Sequence, residues 1–128
     1  MISLPHPVRV FLHTPPTDLR KGFDALSGLV TTAFAQDPTS GHLFLFVNRR
    51  RDRLKILYWD RDGLAIWYKR LEAGSFQLPV VPRDAVSVEM SSTQLALILS
   101  GVDLRSARQR KRYRRPAPAA EKSLGAPL

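Results

Sequence analysis

The side chains of this sequence best suited to chemistry are cations, and they cluster in two places. The first set lies in the apolar part of the chain and comprises Arg20, Lys21, Arg49, Arg50, Arg51, Arg53 and Lys55. The second set lies near the C-terminus and comprises Arg105, Arg108, Arg110, Lys111, Arg112, Arg114 and Arg115. Guanidinium and ammonium groups bind phosphates, which gives affinity and position on a nucleic acid but little sequence information. Both sets are therefore candidate nucleic-acid-binding residues.

Most of the net charge belongs to the second set. The chain carries 20 Lys and Arg against 11 Asp and Glu, a formal charge of +9. Residues 1–104 hold 12 cations and 10 carboxylates, whereas residues 105–128 hold eight cations and one carboxylate. A cationic arm of this density usually meets a polyanion. DNA or RNA is favoured over an anionic membrane because no apolar face accompanies the charges; a solubilising tail without a dedicated partner is the open alternative.

Aromatic side chains are the second group with possible binding chemistry. Tyr58, Trp59, Trp67 and Tyr68 follow the first cationic set closely along the chain. If exposed, such rings stack on unpaired bases with about 1–3 kcal/mol each. Trp59, Trp67 and Tyr68 are also candidate partner-docking residues, because aromatic residues are enriched at interface hot spots. The same rings could instead belong to the core, and the sequence leaves these alternatives open.

Catalytic chemistry finds little support in the sequence. A two-metal nuclease needs carboxylates that converge on divalent ions, yet Asp60 and Asp62 are explained by a turn, and Asp18 and Asp24 by capping and salt bridging. The histidines are scattered, there are no cysteines, and neither nucleotide-binding glycine pattern is present. The sequence therefore predicts a non-catalytic protein with no metal site and no cofactor. A metal-dependent nuclease is the less favoured alternative.

Hydrophobic periodicity predicts the elements that must position these residues. Residues 8–13 are typical of a short strand, and a stripe at helical spacing follows the Pro15-Pro16 pair, with Thr17 or Asp18 as the cap. The stripe comprises Leu19, Phe23, Leu26, Val30 and Phe34.

The middle of the chain predicts a β-meander. Three apolar runs, 42–47, 54–59 and 64–71, are joined by short charged turns that favour antiparallel hairpins. Alternation in the second run places Leu54, Ile56 and Tyr58 on one face and Lys55, Leu57 and Trp59 on the other.

A last strand at 85–90 and a helix at 93–100, capped by Ser91 or Ser92 and ended by Gly101, complete the prediction. The predicted fold is α+β: an antiparallel meander packed against an N-terminal helix, with a short second helix. One domain spans residues 1–104, and a disordered basic tail spans residues 105–128. No apolar run is long enough to cross a bilayer and no signal-peptide pattern is present, so we expect a cytoplasmic protein.

Several motifs, in this order and spacing, resemble the small TnpB-type accessory protein of the insertion-sequence 66 group of bacterial transposable elements. The resemblance covers about residues 8–104. The motifs are PTDLRKGFD at 16–24, GHLF at 41–44, NRR at 48–50, RLKIL at 53–57, YWD at 58–60, GL at 63–64 and WYKRLE at 67–72.

The resemblance implies an accessory role in DNA transposition beside a larger transposase that holds the catalytic acids. It supplies no catalytic residue to carry over. It makes DNA, at the element ends, and the transposase of the same element the expected partners. A protein-interaction module that docks on the transposase without touching DNA is the alternative.

Overall fold

A five-stranded sheet with helices on its two faces forms the frame of the protein. The computed structural model describes residues 7–101. The strands are β1 (Val10–His13), β2 (Leu43–Val47), β3 (Arg53–Asp60), β4 (Gly63–Arg70) and β5 (Ser87–Met90), and the helices are α1 (Phe23–Ala33) and α2 (Ser92–Ser100). The order across the sheet is β4-β3-β2-β1-β5.

The predicted α+β fold and its meander are confirmed. Strands β2, β3 and β4 pair antiparallel in sequence order, as their short connectors require. Strand β1 adds a feature outside the meander, because it pairs parallel with β2 across the α1 crossover and antiparallel with β5. The sheet is therefore mixed, and β1 lies in its interior.

Both faces of the sheet are buried, because side chains alternate between the faces along each strand. One face packs α1, through Leu26, Val30 and Phe34, onto Phe11, Phe44, Phe46 and Leu57. The other face packs Phe76 and the α2 residues Leu95 and Ile98 onto Val10, Leu12, Leu45, Leu54 and Ile56. The predicted alternation in β3 is confirmed, and the second face has its own covering layer.

The predicted start of the first helix is wrong. Helix α1 begins at Phe23, behind Gly22 as N-cap, and no side chain caps it. Thr17 is instead buried and its backbone N–H donates to Val47 O at 2.9 Å, so this segment is held by the end of β2. Phe23 is 49% exposed and lies off the buried stripe. A tertiary hydrogen bond has overridden the local capping preference.

The second helix agrees closely with its prediction. Ser91 forms a capping box with Gln94, in which each side chain bonds the other residue's backbone N–H. Gly101 ends the helix in the left-handed conformation, at φ 86°.

Candidate nucleic-acid interface

The β2–β3 turn is organised by one amide side chain. Asn48 Oδ1 accepts hydrogen bonds from the backbone N–H groups of Asp52 (3.1 Å) and Arg53 (3.0 Å). Its Nδ2 donates to Asp52 Oδ1 at 2.7 Å, which lowers the pKa of Asp52; the charges of Arg50 and Arg53 lower it further. A half-buried residue with three such bonds fixes the turn, and with it the directions in which the neighbouring arginines leave the backbone.

The segment before α1 faces this turn and is anchored from behind. Thr17 Oγ1 lies 3.0 Å from His13 Nδ1. The His13 ring is buried, with its centroid 5.8 Å from that of Phe34 and 5.6 Å from that of Phe46. Burial lowers the pKa of His13, so the neutral imidazole is favoured at this position. The segment is thus attached to the core at Thr17.

An open cleft of about 600 Å³ lies between the turn and this segment. Its lining residues are Pro16, Thr17, Asp18, Leu19, Arg20, Asn48, Arg49, Arg50, Arg53 and Tyr68. Four arginines therefore meet in one concavity that contains a single carboxylate, Asp18. Three of the four come from one turn, and Arg20 comes from the opposite wall.

The arginines of the cleft differ in their pairing. Arg20 forms a two-pronged bridge to Asp18, with Nη2–Oδ2 at 2.6 Å and Nε–Oδ1 at 3.0 Å. This bridge holds the pKa of the Asp18 carboxyl well below its usual range and raises the pKa of Arg20. Within residues 7–101, none of Arg49, Arg50 and Arg53 forms an ion pair. The Asp52 carboxylate offsets part of the charge of Arg50 and Arg53, but the cleft lining still holds four arginines and one carboxylate, which favours an anion there.

Tyr68 forms the aromatic part of the cleft and is held by Lys55, its partner across the β3–β4 pair. Lys55 Nζ lies 4.9 Å from the centre of the Tyr68 ring and donates to Lys21 O at 2.9 Å. Lys55 therefore ties the ring to the segment before α1. The Tyr68 residue is 49% exposed.

Other predicted site residues lie elsewhere. Lys21, Arg51 and Lys55 are not among the residues that line the cleft, although Lys55 contacts Tyr68, which does line it. Arg51 adopts φ 59°, and its carbonyl accepts from Phe76 N–H at 2.7 Å. The second cationic set, with the predicted disorder of the tail and the domain boundary at 104, falls outside the described residues.

The three predicted docking aromatics do not form one surface. Trp67 is opposite Ile56 and Tyr68 is opposite Lys55, so their side chains leave opposite faces of the sheet. Trp59 shares the Tyr68 face, but its Nε1 donates to Arg61 O at 3.0 Å, in the turn at the far end of the hairpin. Tyr58 packs partly buried against the core.

Sequence reasoning missed two residues that line the cleft, Asn48 and Thr17, and a cation beside it, Arg70, which does not line it. Asn48 precedes a turn, where its side chain commonly bonds the backbone, so a local signal existed. Arg70 is directly opposite Arg53 in the hairpin and pairs with Glu72 at 3.0 Å. The hairpin register would have been needed to find it. Two arginines in register are destabilising unless a counter-charge is near.

The described chain can be searched for carboxylates that could bind a metal ion and for helices that could span a membrane. The Asp60–Asp62 pair forms the β3–β4 turn, with Asp62 N–H donating to Asp60 O at 2.6 Å. Among residues 7–101 no three His, Asp or Glu side chains group in a way that could hold a metal ion. No helix in that range is long and apolar enough to span a bilayer.

Comparison with known proteins decides the family. The pattern of the family described as IS66 Orf2 like protein matches residues 8–109. The chain belongs to the IS66 Orf2-like family. The predicted resemblance is therefore confirmed, and this family member is an accessory protein of an insertion sequence, of a type that is generally non-catalytic.

Curated relatives of this IS66 Orf2-like protein occur in Sinorhizobium fredii (strain NBRC 101917 / NGR234). The uncharacterized protein y4jC is 36% identical over 120 residues, which cover 94% of this chain and all of the relative. The uncharacterized protein y4hO is 37% identical over 98 residues, which cover 77% of this chain and 84% of the relative. No solved structure matches the chain.

Proposed function

We propose that this IS66 Orf2-like protein assists transposition by binding nucleic-acid phosphates in the arginine cleft. The observation that carries the proposal is the convergence of Arg49, Arg50 and Arg53 without ion pairs in the described chain, opposite Arg20. Cations held close together repel each other, and a bound polyanion relieves that repulsion. A turn that places three arginines side by side therefore suits a polyanionic ligand. Backbone phosphates are the anions that an accessory protein of a DNA element meets.

The geometry of the cleft favours contacts that position the protein on a nucleic acid over contacts that recognise its base sequence. The cations line an open concavity, and none of them is carried on a helix that could enter a major groove. Phosphate contacts of this kind fix the register of a protein on its nucleic acid. Preference for the ends of the element then comes from shape or from the transposase.

The test is binding of the full chain to labelled element-end DNA and to a scrambled duplex, over a salt series. The variant with Arg49→Gln, Arg50→Gln and Arg53→Gln is expected to bind at least roughly tenfold more weakly. The slope of log affinity against log salt should fall by about 0.9 for each phosphate that is no longer bound. Fluorescence anisotropy measures both quantities.

Arg61→Gln is the matched control. Arg61 is also an exposed turn arginine, but it lies in the β3–β4 turn and does not line the cleft. It should change affinity by less than about twofold, the effect of one distant, screened charge. Equal losses for the control and for each single cleft variant would show that net charge, and not the cleft, binds DNA.

Docking on the transposase is a second candidate, and one observation favours it. Trp67 is 39% exposed on the edge strand β4, on the face away from Tyr68. A partly exposed tryptophan on a sheet edge that no other strand of residues 7–101 covers suits a protein interface. The two candidates are compatible, because the cleft and Trp67 lie on opposite faces of the hairpin.

A further inference from the structure

We propose that the cleft takes a single-stranded segment of nucleic acid, with one unpaired base stacked on the Tyr68 ring. The proposal rests on the proposed function, in which the cleft arginines bind phosphates. It adds the class of nucleic acid, which the charges alone leave open. The shared chemistry of phosphate and unpaired base applies to DNA and RNA alike.

Tyr68 is placed and held as a stacking platform. It lines the same concavity as the four arginines, and half of its surface is exposed. The Lys55 ammonium lies over the ring at 4.9 Å and is itself fixed by Lys21 O at 2.9 Å. A planar ring has two faces, so Lys55 occupies one and a ligand can use only the other. The cation also restrains the ring, which reduces the entropy lost when a base stacks on it.

A duplex cannot satisfy this arrangement. Its bases are stacked on both faces and paired at their edges, whereas the grooves and the phosphates are what it presents outward. A ring set among phosphate-binding arginines therefore meets only the backbone of a duplex. In a single strand the bases are unpaired and can rotate outward from the backbone. Proteins that bind single strands usually combine a cationic groove with an aromatic ring on which such a base stacks.

The two walls of the cleft suggest how the strand lies. Arg20 is on the wall before α1, and Arg49, Arg50 and Arg53 are on the turn. Phosphates on the two sides of one nucleotide can contact different walls, while its base lies against Tyr68. The backbone is then held by charge, and the base by stacking. Stacking accepts every base, so the preference is for strandedness and not for sequence.

The experiment compares three probes of equal length with the full chain: a single strand of mixed sequence, its duplex, and a strand of abasic sites. The abasic strand keeps the phosphates and lacks the bases. We expect the single strand to bind about tenfold more tightly than the abasic strand, the ratio that one stacked base provides. Tyr68→Ala should remove that preference and leave affinity for the abasic strand unchanged, whereas Tyr68→Trp should retain the preference.

Two controls separate stacking from folding and from general charge. Phe23→Ala removes an equally exposed aromatic ring, 49%, outside the cleft, and should keep the preference. In a second background, the seven tail cations from Arg105 to Arg115 are changed to Gln, which leaves the cleft as the main cationic site. Thermal unfolding checks each variant, and Tyr68→Leu replaces Tyr68→Ala if the latter fails to fold.

The outcomes distinguish this inference from the function beneath it. Equal binding of all three probes, with affinity lost on changing Arg49, Arg50 and Arg53 to Gln, overturns stacking and keeps the phosphate cleft. Binding that is insensitive to those arginines overturns both. A preference for the single strand that survives Tyr68→Ala and Tyr68→Leu also overturns the inference. A ribonucleotide strand of the same sequence, run in parallel, tells RNA from DNA.

Discussion

Individual side chains in the cleft differ in how free they are to meet a ligand. Asp18 holds Arg20 in a two-pronged bridge, whereas Arg49, Arg50 and Arg53 have no such partner in the described chain. A phosphate that approaches Arg20 must share it with a carboxylate whose pKa is so low that it stays ionised. The turn arginines therefore supply most of the attraction, and Arg20 mainly shapes the opposite wall.

His13 connects the stability of the fold to pH. Burial lowers its pKa below the unfolded value of about 6.5, so between the two pKa values the unfolded chain binds more protons than the folded protein. The free energy of unfolding should therefore fall as pH is lowered through about 6.5, and level off below the folded pKa. Urea unfolding at several pH values from about 7.5 to 5 measures this dependence.

The neutral variant His13→Gln should flatten this part of the profile. Asp37 and Glu89 have lowered carboxyl pKa values, so their carboxylates stabilise the folded protein near neutral pH. That stabilisation is lost only at lower pH, near and below about 4. The change in the free energy of unfolding between about pH 7.5 and 5 is therefore assigned to His13. A variant with the same slope as the natural chain would assign the pH dependence to another group.

At the scale of single elements, the sequence of α1 has a low intrinsic tendency to form a helix. It lacks a side-chain cap and carries Gly28 in its exposed interior. Its position depends on Leu26 and Val30, both fully buried against the sheet. Tertiary burial, and not intrinsic propensity, therefore holds this helix in place.

Gly28→Ala should raise the free energy of unfolding by about 0.5–1 kcal/mol, since alanine restricts the unfolded chain and suits a helix. A Cβ at this position would meet no atom within 4 Å. Gly41→Ala is the matched control, because its Cβ also has open space but its φ is 88°. That variant should be destabilised by about 1–2 kcal/mol. Chemical denaturation measures both, and a loss at position 28 would contradict the prediction.

Local sequence signals predicted the elements that depend on neighbours in the chain. Short charged connectors indicated the two hairpins, and Ser91 with Gly101 indicated both ends of α2. The parallel place of β1 could not be predicted, because pairing of Val10 with Leu43 and Met90 leaves no mark in any short window. The start of α1 was missed for the same reason, since Thr17 bonds to Val47.

The candidate site shows the same division. The cluster at 49–53 was visible as a run of arginines in a turn. Tyr68 and Trp67 are both predicted as candidate docking residues, although alternation along β4 sends the two rings to opposite faces. The place of Tyr68 beside the arginines depends on the register with Lys55, which the lengths of the runs leave undetermined by a residue or two.

At the scale of the whole molecule, the two cationic sets have different expected roles. The cleft holds its arginines on a rigid turn, whereas the second set is predicted to lie on a disordered tail. A cluster on a disordered chain adds affinity for any polyanion. The cleft then provides whatever discrimination the protein has.

Changing the seven tail cations to Gln should lower affinity for duplex DNA steeply and reduce the salt slope by up to about 6, at 0.9 for each phosphate released. Binding to the transposase, if it proceeds through the Trp67 face, should be retained. Anisotropy with DNA and calorimetry with the purified transposase measure the two. Loss of transposase binding together with DNA binding would show that the tail, and not the folded face, is the docking element.

The interior position of β1 has a consequence for synthesis. Its two neighbours are made at very different times: β2 is the next strand to be made, whereas β5 is the last strand of the described chain to leave the ribosome. Until Met90 has emerged, a nascent chain keeps one side of a wholly buried strand open to other chains. The sheet is therefore completed only when almost all of the described chain has been translated.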